Sequence, residues 1–169
     1  MVHDLLYVSV VLHVVGTALG VGAAKFAEIH FTRFNADNSI DEGERETLGV
    51  TYYVMRIGLF MLVVTGFSFL LYYRIEENVT ALFAAGFLAK VTIIGALLGN
   101  AIAMQARILP LEVGAPVSLT SWYAALVLGV MGHTDMTYVQ LMGVYLLSIV
   151  VVGVLLKWAR FIIHEPRTV

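Results

Sequence analysis

Five apolar stretches, each close to the length a helix needs to cross a bilayer, constrain this chain more than any other feature. A hydrocarbon core of about 30 Å takes roughly 20 helical residues. The stretches run from Leu5 to Phe31, Leu48 to Tyr73, Ala81 to Leu109, Val117 to Met131 and Tyr138 to Ile163. The fourth is short. A re-entrant fourth segment would start the fifth from the wrong side of the membrane, so a full span is expected. Composition agrees: 60% of the 169 residues are hydrophobic and 13% charged, against about 45–50% and about 25% for soluble domains. The expected fold is all-α, a polytopic membrane helical bundle of five transmembrane helices, a four-helix core plus one, forming a single domain over 1–169. The first run continues past Gly22 without a cleavage site and lacks a basic leader, so no cleaved signal peptide is expected.

The connections are short. Asn35 to Glu46 is the one strongly polar segment, and Ser39 followed by Glu42 has the pattern of a capping box. The second helix is therefore expected to start near Ser39 and to project about three turns before entering lipid. Pro110 and Pro116, with Gly114 between them, read as a turn and a new helix start. Placing the N-terminus outside puts Arg33, Arg45, Arg107, Lys157, Arg160 and Arg167 inside and Arg74 alone outside. Lysine and arginine concentrate on the cytoplasmic side of membrane proteins, so the expected orientation is N-out and C-in, in a bacterial inner membrane.

Several function classes are excluded. Net charge is −2, so nucleic acid is not an expected partner. There is no cysteine, which removes disulfides, thiolate metal sites and iron–sulfur clusters. No phosphate-cradling loop, nucleophile elbow or zinc-protease motif is present.

Ionisable residues at membrane depth are costly and mark candidate sites. His13 lies inside the first apolar run, about 12 Å below Leu5. Its helical face carries Ser9, Gly16, Thr17, Gly20, Ala24 and Glu28. That face is small and polar, so it should pack inward. Gly16 and Gly20 leave room for a flat group or for a close helix; in a purely packing role they form a small-residue seam with His13 bonded to a neighbour. Lys90 lies about 14 Å below Ala81 on the third span, within about one turn of the depth of His13. A shared site on two helices is expected, with a bound anionic ligand to balance the lysine; the alternative is that Lys90 snorkels to the interface or is neutral.

At the other end, Lys25, Glu28 and His30 close the first helix and Arg56 lies in the second. Glu28 is expected to pair with Arg56 or Lys25 as a structural ion pair, since buried charges are paired. Met131, His133 and Met136 form a loop cluster whose sulfur and imidazole ligands suit copper(I).

Residues 12–16, Leu-His-Val-Val-Gly, with Arg33 beyond the helix, resemble the first helix of the bacterial membrane haem proteins of the oxygen-independent protoporphyrinogen-oxidase type, relatives of the copper-resistance D membrane proteins. Leu88-Ala89-Lys90, heading a glycine-containing helix that ends in Arg107, resembles that family's lysine-bearing helix. Arg56 to Leu71, with Thr65-Gly66, resembles its second. The resemblance covers roughly residues 5–107. It implies a bound haem b and an essential histidine and lysine on separate helices, here His13 and Lys90. The family usually has four spans rather than five, and a second histidine of the family has at best Gln105 in its place.

Three functions are therefore weighed. The first is a membrane haem b protein, an oxidoreductase of porphyrinogen or quinol type or an electron carrier. His13 would be the iron ligand, with Lys90 as opposite ligand or propionate partner and Met61 as an alternative sixth ligand. The second is a non-catalytic membrane subunit or assembly factor, using Gly16/Gly20 and Gly95/Gly99 to bind a partner helix or a second copy. The third is a transporter or copper-handling protein using His13 and the Met131, His133 and Met136 group along a path.

Overall fold

Each long apolar stretch becomes a helix, because in lipid a backbone must satisfy its own hydrogen bonds. The structure, a computed structural model, describes residues 2–34, 39–132 and 134–164. The helices are α1 (Val2–Phe34), α2 (Glu42–Ile75), α3 (Val79–Leu82), α4 (Ala85–Gln105), α5 (Leu111–Met131) and α6 (Tyr138–His164). Five of them, all but the single-turn α3, are long and apolar enough to cross a membrane. The protein is a polytopic helical bundle with no strand among the described residues.

The long helices alternate in direction. One end of the bundle holds the start of α1, the end of α2 and the start of α4; we call it the His13 end. The opposite end holds the end of α1 and the start of α5; we call it the Glu28 end. Helix α1 packs mainly on α2 and α5, and α4 packs on α5. Helix α6 lies outside this group of four, against α5 and α4, and barely meets α1. Two apolar clusters hold the bundle. Ala24, Leu59, Leu62, Leu97 and Trp122 join α1, α2, α4 and α5, while Ala89, Ile93, Leu128, Leu141 and Tyr145 join α4, α5 and α6. Ser121 and Tyr145 add a buried hydroxyl pair at 2.7 Å between α5 and α6.

Three helix boundaries differ from the sequence expectation. The capping box of α2 is Asp41 with Glu44, not Ser39 with Glu42. The Asp41 carboxylate accepts from the Glu44 N–H at 2.8 Å, and the Glu44 carboxylate accepts from the Asp41 N–H at 3.0 Å. Both pairs have capping-box spacing, and a carboxylate is the stronger acceptor. The third span starts at Ala85 rather than Ala81. Asn78 caps the short α3 through the Ala81 N–H, and the extended Ala84 then begins a new helix. Its end is set by Arg107, in the left-handed region at φ 58°, before Pro110. The fourth span starts at Leu111 rather than Val117 and is 21 residues long. Pro110 is its extended N-cap and Pro116 lies inside it. That proline deletes only the bond to the Glu112 carbonyl, near a helix end where Glu112 is exposed, so the helix runs through it.

Candidate functional site

The site begins with a close crossing of α1 and α2. A Cβ built on Gly58 would stand 2.7 Å from the Gly16 carbonyl oxygen and 2.9 Å from the Gly20 nitrogen. Only glycine permits that approach. On α1, a Cβ at Gly16 would meet Met61 Cβ at 2.7 Å, and one at Gly20 would run into the Trp122 ring. The Gly16/Gly20 stripe is therefore filled from within the chain. It admits α2 and the α5 indole, and leaves no room there for a flat ligand. Trp122, 1% exposed, is the plug that sequence reasoning missed.

The crossing brings Thr65 of α2 to His13. Nδ1 of His13 lies 2.8 Å from Thr65 Oγ1. The Thr65 hydroxyl has one hydrogen, and its Oγ1 also lies 2.6 Å from the Met61 carbonyl oxygen and 3.3 Å from that of Leu62. Two lone-pair atoms at 2.6 Å repel unless a hydrogen lies between them, so the hydroxyl donates to Met61. It must then accept from His13, which puts the ring proton on Nδ1 and leaves Nε2 with a bare lone pair. Nε2 has no hydrogen-bond partner among the described residues and is not a buried orphan. It therefore opens toward the outside of the half-buried ring. Phe69 braces the imidazole edge-on, with ring centroids 5.2 Å apart. The Thr17 hydroxyl donates to the His13 carbonyl at 2.8 Å.

Lys90 is half-buried on α4, a helix that has no extensive contact with α1. It lies about 8 Å from the start of α4, shallower than the expectation based on Ala81. No carboxylate pairs with it among the described residues. Met61 sits over Gly16, so its carbonyl serves the Thr65–His13 relay while its side chain packs the crossing.

For haem, this donor set fits on one count: a fixed tautomer with a bare Nε2 is the form of imidazole that binds iron, and Lys90 is a cation suited to acidic substituents. The two cavities described, about 40 and 490 Å³, are at the Glu28 end and touch neither His13 nor Lys90.

The expected ion pair is rearranged. The partner of Glu28 is Arg160 of α6, not Arg56 or Lys25. Arg160 Nε donates to Glu28 Oε1 at 2.8 Å and Nη2 to Oε2 at 2.9 Å, a bidentate pair. Thr32 donates to the same carboxylate at 3.2 Å, and Phe31 lies under the guanidinium at 5.5 Å. Glu28 is directed at the seam between α1 and α6, whereas Lys25 and Arg56 lie on exposed surfaces of the bundle. The pair is the lock between two helices that otherwise barely touch.

The Met131, His133 and Met136 cluster lies partly outside the described residues. Met136 packs against the α4–α5–α6 core, Met131 is 51% exposed, and His133 lies outside the described residues. Among the described residues no group of three or more histidine or acidic side chains could hold a metal ion. Gly95 and Gly99 have nothing within 4 Å and lie exposed on α4. Comparison of the chain with family models, with curated proteins and with solved structures gives no match in any of the three.

Proposed function

We propose that this protein is a small integral membrane haem-binding protein, an oxidoreductase of porphyrinogen or quinol type, with His13 as ligand to a haem b and Lys90 as opposite ligand or propionate partner. The observation that carries the reading is the Thr65-fixed tautomer of His13, which leaves the Nε2 lone pair open, in a bundle where Lys90 has no carboxylate partner among the described residues. A histidine placed only to bond helices together would need one nitrogen; here the second is left presented. The resemblance of residues 5–107 to the membrane haem family supports the same two residues. The haem would supply the redox chemistry. The chain itself would supply the iron ligand, its orientation through Thr65, and a cation for the acidic groups of the cofactor or substrate. We place the protein in a bacterial inner membrane with its N-terminus outside, on the asymmetry of Arg33, Arg45, Arg107, Lys157 and Arg160 against Arg74.

The test is an absorption spectrum of the detergent-purified protein before and after haem addition. Wild type should show a Soret band, His13→Ala should lose it, and Lys90→Met should shift or weaken it. A wild type with no Soret band after haem loading ends the reading. A second reading, a subunit that binds a partner helix, is favoured by one observation: the open Gly95/Gly99 stripe. In that case leucine at those two positions should abolish function in cells while His13→Ala leaves it intact.

A further inference from the structure

At the Glu28 end, α1, α5 and α6 leave a recess of about 490 Å³ lined by Phe31, Glu112, Gly153, Leu156, Lys157 and Arg160. That is within the size range of small-molecule sites, about 300–1,000 Å³. Arg160 is held by Glu28 and forms a wall. Glu112 and Lys157 are different. Both are exposed, they carry opposite charges, and they line one recess without pairing to each other or to any described residue. Phe31 and Leu156 add apolar lining to the same recess. The recess lies at the helix ends where α1 and α6 scarcely meet, and Trp158, which follows Lys157 on α6, is 63% exposed. Tryptophan at that level marks the lipid–water interface.

We infer that this recess holds the headgroup of a zwitterionic phospholipid of the phosphatidylethanolamine class. Lys157 takes the phosphate and Glu112 the primary ammonium, while the acyl chains leave along Leu156 and the apolar face of α6. The two charges decide the class. A purely anionic headgroup would satisfy Lys157 and bring like charge to Glu112. A choline headgroup has no N–H to donate to Glu112. The site is separate from His13 and does not depend on the haem reading.

The test is native mass spectrometry of the full chain released from bilayers containing equal phosphatidylethanolamine, phosphatidylcholine and phosphatidylglycerol. Wild type should retain one phosphatidylethanolamine, favoured over the other two by about tenfold. Glu112→Gln should bring ethanolamine and choline lipids to parity, and Lys157→Gln should lower retention of all three. The exchange Lys157→Glu with Glu112→Lys keeps one charge of each sign and should restore the preference. Both positions are exposed, and such substitutions alter stability by about 0.5 kcal/mol or less, so folded variants are expected; circular dichroism checks this. Retention of phosphatidylglycerol in place of ethanolamine lipid overturns the inference. So does a wild type that retains no lipid, or a preference that neither single variant changes.

Discussion

Replacing Thr65 by valine removes the hydroxyl that sets the His13 tautomer and nearly keeps the side chain's shape. In the native chain Nδ1–H points at Oγ1 over 2.8 Å. In the variant it points at a methyl group. A partly buried donor left without an acceptor costs about 1–3 kcal/mol. The ring can escape that cost by moving its proton to Nε2, and each 1.4 kcal/mol is about tenfold in such a ratio. The tautomer population should therefore swing by roughly tenfold or more toward Nε2–H. Nitrogen NMR of histidine-labelled protein in micelles, at alkaline pH where the ring is neutral, reads the two forms directly and needs no haem. Thr65→Ser keeps the hydroxyl and should restore the native form, which a mere packing defect would not predict. Haem affinity, followed by Soret titration, should fall roughly 10–100-fold in the valine variant, the usual cost of losing the group that orients a metal-bound histidine. Wild-type protein with its proton already on Nε2, or a valine variant with unchanged ring shifts, refutes the reasoning.

Other perturbations probe the frame around the site. Gly58→Ala puts a Cβ 2.7 Å from the Gly16 carbonyl oxygen, a backbone atom that no rotamer can move. It should cost about 1–3 kcal/mol in unfolding from micelles, whereas Gly22→Ala, with nothing within 4 Å, should be neutral or stabilise by up to about 1 kcal/mol. Arg160→Met strands the Glu28 carboxylate, whose side chain is 12% exposed, and should destabilise by about 3 kcal/mol. Adding Glu28→Gln should recover part of that loss in the same unfolding assay. Asp41→Ala removes half of the α2 capping box and should cost about 1 kcal/mol. Hydrogen exchange should then quicken at the Glu44 amide and leave the amide of Leu62 unchanged.

The number of long helices and their apolar character were legible because a bilayer imposes one length and one solvent on every span. Boundaries were less legible wherever two residues could do the same job. Ser39 and Asp41 both offered a cap, and Pro110 and Pro116 both offered a start. Chain context chose Asp41 and Pro110, and Pro116 was carried inside a helix whose nearby end tolerates one missing bond. The site was half legible. His13 and Lys90 stand out as ionisable residues in apolar runs, and both are half-buried in the bundle. Thr65 entered only through the Thr65-Gly66 resemblance and nothing marked it as a partner of His13, since threonine is common in membrane helices and bonds back to its own backbone. Arg160 looked like an interfacial cation near the end of the last span.

From the order of residues alone one can say that this chain solves a solvation problem. Long apolar runs must become helices in lipid, and the few ionisable groups among them must find company. Which company they find is decided by rotation and crossing angle, and single residues far apart in sequence fix those. The Gly16–Gly58–Gly20 contact lets α2 approach until Thr65 reaches His13, and α6 turns Arg160 rather than its other cation, Lys157, toward Glu28. Helical periodicity gives each side chain a face but not the neighbour that the face will meet, and only packing supplies that.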